Sequence, residues 1–305
     1  MDWRLLEHYA AELAARLAPC GVRLRRSRRL ANGLQLEFES AGTACRVNLY
    51  HSDRKGFTLV PSGGDAALIS RVTGSGGAAP RETPKGTWTG SDEAGKGDYL
   101  GPLVVCAVYC DEASAGTLLD LGAVDSKTLP ARAAREVSDG LEDFLGSAFE
   151  RTVVDPAEYN RMFDALRMKG MNSNHLLASI HGGAIRALMD RGFRPDRLVV
   201  DMFCSRKQLV PFLPPSESLL ELRTGAEDDP AVAAASVIAR AGYLDGLDAL
   251  SREFGTVLVP GAGARADSAA SELVASNGPE ALPRCAKLHF RNTHKVLAEG
   301  FPDLT

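Results

Sequence analysis

Four carboxylates stand at positions where a folded chain could gather them into one site. Asp92 and Glu93 precede the turn Gly95-Lys96-Gly97. Asp201 ends an apolar run, and Glu227 stands before an alanine-rich segment. Clustered carboxylates repel each other without cations, and Mg²⁺ takes oxygen ligands that substrate phosphates often complete. Two such ions about 4 Å apart activate water and stabilise the leaving oxygen in phosphodiester hydrolysis. The residue types therefore indicate metal-dependent cleavage of a phosphodiester.

The Asp92-Glu93 pair alone is a weak signal, because adjacent acids occur on most protein surfaces. Its position is more informative, since α/β proteins bind ligands at the carboxyl ends of their strands. On a regular strand the two side chains face opposite ways, so both enter one site only if the backbone bends there. Gly95 and Gly97 permit such a bend. The alternative is a solvated turn at the end of a strand.

The other acids have alternatives of their own. Asp201 ends a strand that should be buried. An unpaired charge there destabilises the fold by roughly several kcal/mol, so the Asp201 carboxylate needs a partner. That partner is either a metal ion or a lysine or arginine such as Arg197 or Arg206. The acids at 227–229 precede a predicted helix, and capping of that helix explains at least one of the three.

Other site classes fail on spacing. The turn Gly95-Lys96-Gly97 lacks the four-residue gap of a Walker loop and the third glycine of a GxGxxG turn. The six histidines form no HExxH pair, and no GxSxG elbow is present. The six cysteines are scattered, and Cys106 and Cys110 are expected to pack within a strand rather than to ligate a metal.

The composition is that of an ordinary globular protein, with 45% hydrophobic and 24% charged residues. No apolar run reaches the roughly 18 residues of a membrane span, and no secretory signal is visible. We therefore expect a cytoplasmic chain with reduced cysteines and no membrane partner. The charge is asymmetric, because residues 1–80 hold 11 Lys+Arg against 7 Asp+Glu while the rest has a net charge of −8. A basic head indicates a polyanionic partner, and an acidic body indicates bound cations.

Residues 1–73 predict a small α+β domain. Spacings of three and four place apolar residues on one face of a helix over Trp3–Leu17. Period-two alternation then predicts about four antiparallel strands, with a hairpin turn at Asn32-Gly33 and a closing helix over 65–72. Residues 74–86 contain four glycines and two prolines and predict a linker.

Residues 87–305 predict an α/β domain with a mixed central sheet. The predicted strands are 88–92, 103–109, 149–154, 198–201 and 219–222, and the predicted helices are 130–145, 174–191 and 230–254. The continuous apolar run at 198–200 is typical of a strand buried on both faces.

The motifs of this second region resemble those of the type 2 ribonucleases H, the ribonucleases HII and HIII. The resemblance rests on GSDEAGKGDYLGPLVVCAVY, DSKTL at 125–129, Asn172, Asn174, His181, LVVDMF, GAEDDPAVAAASVIAR and AKLHFRNTHK. These motifs span about 87 to 295 and follow the order of the family. The fold implied is α/β, a ribonuclease H-like core with a mixed central sheet flanked by helices.

Two features resemble ribonucleases HIII more than HII. The fourth acid is Glu227, where HII proteins typically have Asp. Residues 1–73 resemble the N-terminal domain of HIII proteins, which has a fold like that of the TATA-box-binding protein and holds the hybrid. Arg23, Arg25 and Arg46 are the candidate contacts on its strands, and the alternative for each is a solvated strand face.

The resemblance implies an endonuclease that hydrolyses the RNA strand of RNA/DNA hybrids and leaves 5′-phosphate and 3′-hydroxyl ends. Two Mg²⁺ or Mn²⁺ ions, present with substrate, would be held by Asp92, Glu93, Asp201 and Glu227. Lys127 and Asn174 would contact phosphates, and the turn Gly95-Lys96-Gly97 would read the 2′-hydroxyls. The implied partner is an RNA/DNA hybrid, with no obligate protein partner and a monomeric chain.

Two departures from the family pattern keep alternatives open. Many HIII proteins have Thr-Lys-Ala-Glu where this chain has Thr224-Gly225-Ala226-Glu227, so a positive charge beside the fourth acid is absent. Lys96 matches the Arg or Lys of HII proteins, whereas HIII proteins often have Thr there. The alternative functions are HII-like cleavage at single ribonucleotides embedded in DNA and non-catalytic binding of hybrids.

Overall fold

The structure, a computed structural model, describes residues 3–30, 32–52, 56–73, 85–124, 126 and 129–300. The chain divides into two compact units, Met1–Glu82 and Thr83–Thr305. Most of the predicted linker at 74–86 lies outside the described residues, and the predicted domain bounds stay predictions. In the described ranges, no helix combines the length and the apolar character that a bilayer crossing requires.

The first unit consists of a helix, a four-stranded antiparallel sheet and a second helix. The elements are α1 (Trp3–Leu17), β1 (Arg23–Leu30), β2 (Gly33–Ser40), β3 (Thr43–Ser52), β4 (Gly56–Gly64) and α2 (Ala66–Thr73). The strands pair in sequence order. Leu6 and Leu13 of α1 pack with Leu36 and Phe38 of β2 in one buried core, because each element offers a single apolar face. The predicted order of elements in this region is confirmed.

The second unit is an α/β domain built around a five-stranded sheet. Its strands are β5 (Thr87–Ala94), β6 (Leu103–Asp111), β7 (Phe149–Val154), β8 (Arg197–Asp201) and β9 (Leu219–Arg223). Its helices are α3 (Glu112–Asp120), α4 (Ala131–Leu145), α5 (Pro156–Arg167), α6 (Ser173–Asp190), α7 (Arg206–Leu209), α8 (Pro230–Phe254), α9 (Ala264–Asn277), α10 (Leu282–Cys285) and α11 (Asn292–Gly300).

The sheet is mixed, as the sequence predicts. Its strand order is β7-β6-β5-β8-β9. β5 pairs antiparallel with β6 and parallel with β8, and β8 pairs parallel with β9. The carboxyl ends of β5 and β8 therefore meet at one edge of the sheet.

Helices cover both faces of this sheet and give it two cores. One core combines α8 with Trp88 and Val199, and the other combines α6 with Leu198 and Val200. β8 thus contributes alternate residues to both cores, which confirms that this strand is buried on both faces. Cys106 and Cys110 are buried within β6, as expected for packed strand residues.

The first turn of α8 lies directly on β5, main chain against main chain. A Cβ atom added at Gly90 would stand 2.4 Å from the backbone nitrogen of Val232 and 2.5 Å from the carbonyl carbon of Ala231. Only glycine allows this approach. The segment that precedes α8, which carries Glu227, is thereby held next to the end of β5.

The predicted strands and helices of this unit are confirmed, with two differences that matter for function. β5 extends to Ala94, so Asp92 and Glu93 lie within the strand rather than after it. Several helices have no counterpart in the sequence prediction, namely α3, α5, α7 and the helices that follow α8.

Candidate active site

Asp92 and Asp201 lie beside each other on the same face of the sheet. Ser91 pairs with Val200 in the parallel ladder between β5 and β8, so the two acids are the next residues along neighbouring strands. Asp92 accepts a hydrogen bond from the Ser236 side chain of α8. Asp201 lies two residues after Val199 on β8, so the two side chains share a face of the sheet. Val199 packs in the core that contains α8. Both carboxylates therefore project towards α8.

The turn before α8 brings the fourth predicted acid to the same place. The backbone N–H of Ala226 donates to Oδ1 of Asp201 at 3.2 Å. Glu227 follows Ala226 in a 3₁₀ turn over Ala226–Asp228 and is half-buried. Asp92, Asp201 and Glu227 thus come from three elements, and their elements converge at one edge of the sheet.

The negative charge of Asp92 is partly buried and lies near other acids. Burial, followed by the neighbouring charges of Glu93 and Asp201, raises the pKa of Asp92 to about 7 against the opposing hydrogen bond from Ser236. A carboxylate whose ionised form is penalised by burial and by other acids gains most from a bound cation.

Arg197 and Arg206, the arginines named as candidate partners of Asp201, both bind other groups. Arg197 pairs with Glu221 at 3.1 Å, and Arg206 donates to the backbone carbonyl of Leu220 at 3.0 Å. The alternative of a structural ion pair with these two arginines is therefore wrong, and a metal ion as the partner of Asp201 stays a prediction.

The three acids before α8 have separate roles. Asp229 caps α8, because its Oδ1 accepts from the backbone nitrogens of Ala231 at 3.0 Å and Val232 at 3.3 Å. Asp228 pairs with Arg223 at 3.1 Å. The prediction that capping explains at least one of these acids is confirmed, and the place of Glu227 in the site stays a prediction.

Glu93 projects to the opposite face of the sheet, towards α6. Its Oε2 lies 3.2 Å from Nε2 of His181, and its Oε1 lies 3.5 Å from Nζ of Lys96. Burial raises the pKa of Glu93, but the hydrogen bond and charge of His181 together with Lys96 outweigh it, and the net pKa is lowered. Glu93 is thus held as a carboxylate on the α6 side.

His181 is itself fixed by two further contacts. Its Nδ1 is hydrogen-bonded to Oγ of Ser91, and its ring stacks on Phe203 with centroids 4.7 Å apart. Nζ of Lys96 lies 5.2 Å from the centroid of the same Phe203 ring. Glu93, His181, Phe203 and Lys96 therefore form a closed ring of contacts, which we call the Glu93 ring.

The donor chemistry of the acids fits a divalent cation, although the present conformation does not complete a site. Asp92 and Asp201 offer adjacent carboxylate oxygens, the ligands that Mg²⁺ and Mn²⁺ prefer. Within the described residues, no three His, Cys, Asp or Glu side chains are close enough together to hold a metal ion. Glu93 accounts for part of this, because strand alternation places it on the other face, where it contacts His181 and Lys96.

The glycine turn after β5 is anchored on one side and open on the other. Gly95 has a φ of 87°, and a Cβ there would stand 2.2 Å from the carbonyl oxygen of Pro102, so this position requires glycine. Gly97 is exposed, and a Cβ there would meet no atom within 4 Å. The backbone at Gly97 is therefore accessible to a large ligand.

A buried lysine supports this turn from below. Lys287 is fully buried, and its Nζ donates to the backbone carbonyls of Asp98 at 3.0 Å and Gly101 at 2.6 Å. Its backbone N–H donates to the carbonyl of Tyr99 at 2.9 Å. Burial lowers the pKa of Lys287 to about 7. The segment that follows the glycine turn is thus attached to the AKLHF segment near the C-terminus.

The two remaining candidates of this unit have different outcomes. Asn174 is half-buried in the first turn of α6, two helical turns before His181. Lys127 lies outside the described residues, so its role stays a prediction. Its neighbour Ser126 is buried, and its Oγ lies 2.9 Å from Oγ of Ser236, which also contacts Asp92.

In the first unit, a basic surface covers the face of the sheet that points away from α1. Arg23 pairs with Glu39 and Arg46 pairs with Glu37 across the ladders, and Glu37 and Glu39 alternate with the buried Leu36 and Phe38. A bulge between Leu24 and Arg26 shifts the alternation of β1, so that Arg26 and Arg28 pair with Glu37 and Gln35 on this face. We call this surface the arginine face, formed by Arg23, Arg25, Arg26, Arg28 and Arg46.

Sequence reasoning placed Arg23, Arg25 and Arg46 on the arginine face but missed Arg26 and Arg28. It also quoted His181 without a role and passed over Ser236, Phe203 and Lys287. A signal existed for Lys287, since a lysine between alanine and leucine in AKLHF is at a position where burial is expected. No local pattern identifies Phe203, because its role depends on two side chains from other elements.

Comparison with known proteins gives a consistent result for the second unit. A family profile described as ribonuclease HII matches residues 89–293. A ribonuclease HIII of Geobacillus kaustophilus is 38% identical over 215 residues, which cover 68% of this chain and 67% of that protein. A ribonuclease HIII of Exiguobacterium sibiricum is 32% identical over 273 residues, which cover 86% of this chain and 87% of that protein.

Solved structures extend the similarity to the fold. The crystal structure of Bst-RNase HIII in complex with Mn²⁺ matches with a TM-score of 0.64 and 28% identity, and covers 99% of this chain and 97% of that one. The ribonuclease H2 of Pyrococcus horikoshii matches with a TM-score of 0.59 at 22% identity, covers 70% of this chain and 99% of that one, and shows a shared fold.

Proposed function

The chain belongs to the type 2 ribonuclease H family, with ribonucleases HIII among its relatives, and from this premise we propose how it acts. It is a ribonuclease H that cleaves RNA/DNA hybrids. We propose that it is an endonuclease that uses two Mg²⁺ or Mn²⁺ ions and leaves 5′-phosphate and 3′-hydroxyl ends. The observation that supports this most is the convergence of Asp92, Asp201 and the Glu227 turn at the ends of two parallel strands.

Each acid has a proposed part in holding the ions. Asp92 and Asp201 supply adjacent oxygens on the α8 side, and Glu227 joins them from the 3₁₀ turn. Glu93 supplies the fourth carboxylate after it leaves the α6 side. When bound, divalent ions activate the attacking water as Lewis acids and neutralise charge at the leaving oxygen. The chain's own contribution is to fix these oxygens and to keep Asp92 in a setting that favours a cation.

The glycine turn is proposed to distinguish RNA from DNA. The exposed backbone at Gly97 has open space around it, so a ribose can come close to its amide. Contact with 2′-hydroxyls in the shallow minor groove is the general way in which proteins recognise an RNA strand. Gly95 sets the direction of the turn, and Lys127 and Asn174 are proposed phosphate contacts.

The first unit is proposed to bind the hybrid backbone through the arginine face. We propose that this unit has a fold like that of the TATA-box-binding protein, as in ribonucleases HIII, since it contains a helix, a four-stranded antiparallel sheet and a second helix. The arginines are exposed, which suits contacts with phosphates. We further propose that the enzyme acts as a monomer without an obligate protein partner.

One observation favours a second candidate function, cleavage at a single ribonucleotide within DNA. The centre of the glycine turn is Lys96, which resembles HII proteins in this respect, and its side chain contacts Glu93 of the site. A charged residue at this place could compensate for contacts that a single ribonucleotide cannot supply. Non-catalytic hybrid binding is the outcome to exclude.

The deciding experiment compares two labelled duplexes in Mg²⁺ and in Mn²⁺, one with four consecutive ribonucleotides and one with a single ribonucleotide. We expect cleavage of the first, products with 3′-hydroxyl ends that a polymerase extends, and no cleavage by Asp92→Asn. Asp120→Asn, an exposed acid at the end of α3, is the matched control and should cleave normally. Efficient cleavage of the second duplex would assign the HII-like function, and full activity of Asp92→Asn would refute the proposed site.

A further inference from the structure

The contacts of Glu93 have a consequence for metal binding that goes beyond the proposed reaction. Both of its carboxylate oxygens are already engaged, Oε2 by His181 and Oε1 by Lys96. We infer that Lys96 is a positioning residue that competes with a divalent cation for Glu93, and that the cation must displace it before Glu93 joins the other acids. This inference rests on the proposed function of Glu93 as a metal ligand.

The two partners of Glu93 differ in how firmly they are held. The side chain of His181 is fully buried, and it is fixed by Ser91 and by the ring of Phe203. Both of its ring nitrogens have a partner, because Nε2 lies 3.2 Å from Oε2 of Glu93 and Nδ1 is hydrogen-bonded to Oγ of Ser91. When Glu93 leaves, the contacts of His181 with Ser91 and Phe203 remain, so we expect His181 to keep its position.

Lys96 is the partner that can leave. Its side chain is 43% exposed, whereas that of Glu93 is 10% exposed. It extends from an exposed turn on a flexible four-carbon stem, and its ammonium can be solvated without leaving a buried charge behind. The Phe203 ring, 5.2 Å from Nζ, adds a weak cation–π attraction that holds Lys96 near Glu93 in the absence of metal.

The position of Glu93 makes this competition relevant to the site. Asp92 accepts a hydrogen bond from Ser236 of α8, whereas Glu93 contacts His181 of α6, so neighbouring residues of β5 serve opposite faces. In the described residues no group of three metal-ligating side chains is assembled. Release from Lys96 would free Oε1 of Glu93, in the residue that follows Asp92 along β5.

The predicted effect is on metal affinity and has a defined sign. Lys96→Met removes the competing cation but keeps the length of the side chain, so Glu93 becomes more available. We expect Mn²⁺ to bind about two- to fivefold more tightly, the factor that corresponds to removal of one partly exposed ion pair. Lys96→Arg keeps the positive charge and should bind Mn²⁺ as the wild type does.

The measurement is isothermal titration of the full-length protein with MnCl₂ in the absence of nucleic acid, supported by the Mn²⁺-dependent shift in melting temperature. Lys169→Met, which removes an exposed lysine after α5, is the control for removal of one positive charge. It should leave the dissociation constant unchanged.

A double-mutant cycle separates this competition from general electrostatics. If Lys96 acts through Glu93, Lys96→Met should have no effect in the Glu93→Gln background. An equal gain in affinity with and without the Glu93 carboxylate would overturn the inference, as would unchanged affinity of Lys96→Met in the wild-type background. If Glu93→Gln alone binds Mn²⁺ like the wild type, Glu93 is not a ligand and the proposed function of that residue fails as well.

Discussion

The indole Nε1 of Trp88 donates a hydrogen bond to Oδ1 of Asp229 at 3.0 Å, which connects the start of β5 to the N-cap of α8. Both side chains are buried. The same Oδ1 accepts hydrogen bonds from the backbone N–H groups of Ala231 and Val232 in the first turn of α8. One carboxylate oxygen thereby fixes the helix that carries Ser236 to the strand that carries Asp92.

This relationship predicts the cost of removing the cap. Asp229→Ala leaves the Trp88 N–H and two backbone N–H groups without their acceptor, and should lower the free energy of unfolding by about 1 to 3 kcal/mol. Urea denaturation measures this. Asp229→Asn retains an oxygen acceptor and should be less destabilised, and Asp228→Ala, which affects a half-exposed ion pair, should be destabilised by under about 1 kcal/mol. Equal destabilisation at Asp228 and Asp229 would contradict the capping role.

The raised pKa of Asp92 predicts that Asp92→Asn increases the free energy of unfolding in EDTA, and that the increase depends on pH. Its folded pKa of about 7 exceeds the ordinary value of 3.8, so the stability that this group contributes is full below about pH 4 and is lost as pH rises through 7. Asp92→Asn lacks this decline. The variant should therefore match the wild type near pH 4 and exceed it above pH 7 by about a few kcal/mol. A gap that shrinks with rising pH would show that burial does not control Asp92.

Lys287 predicts the opposite trend for its own variant. Burial lowers its folded pKa to about 7 from the ordinary 10.5, so the folded state binds this proton less tightly than the unfolded state. The contribution of Lys287 to stability should rise between about pH 7 and 10.5. Urea denaturation at several pH values should show the wild type gaining on Lys287→Met across this window. A constant difference would mean that Lys287 keeps its proton throughout.

Removal of Lys287 should also affect hybrid cleavage through the glycine turn. The carbonyls of Asp98 and Gly101 each lose a hydrogen-bond donor, so we expect KM for the hybrid to rise more than kcat falls in Lys287→Met. Steady-state kinetics on the four-ribonucleotide duplex tests this. A fall in kcat alone would place the effect at the acids rather than at the substrate-binding turn.

The arginine face predicts a change in the salt dependence of binding. Arg26→Gln with Arg28→Gln should weaken hybrid binding and reduce the slope of log K against log[salt] by about one unit for each phosphate that is no longer neutralised. Arg29→Gln is the matched control, because Arg29 pairs with Glu7 at 2.7 Å and lies over the Trp3 ring on the side of α1. An equal reduction of slope in the control would show that only net charge matters.

The arginine face also shows where local periodicity reaches its limit. Alternation of Val22 and Leu24 with Arg23 and Arg25 predicted which residues point outwards, and that part could be derived from the sequence alone. The bulge after Leu24 adds one residue to β1, and from there the outward positions are Arg26 and Arg28. A bulge is a property of the pairing between two strands, so the sequence of one strand does not reveal it.

The acids illustrate the same limit in the second unit. Their identities and their places at strand ends follow from residue types and the family resemblance. The predicted bend does not separate them from the strand, because β5 stays paired with β6 up to Ala94 opposite Val104, and the chain turns only at Gly95. Strand alternation therefore sends Asp92 and Glu93 to opposite faces. Their partners on those faces, Ser236 and His181, come from two distant helices and are not visible in a local pattern.

The α5 helix is a different kind of omission, since its signals are present in the sequence. Asp155 caps it by accepting from the backbone nitrogen of Glu158 at 2.8 Å, and Pro156 occupies its first position. An acid, a proline and a second acid in this order are typical of a helix start. Attention to caps as well as to apolar periodicity would have located this helix.

The direct contact of α8 with β5 at Gly90 bears on how the site can change during sequence divergence. Since no side chain separates the two backbones there, the approach of α8 to β5 at this point requires glycine at position 90. A side chain at position 90 would push α8 away from β5, and the Glu227 turn would move with it relative to Asp92.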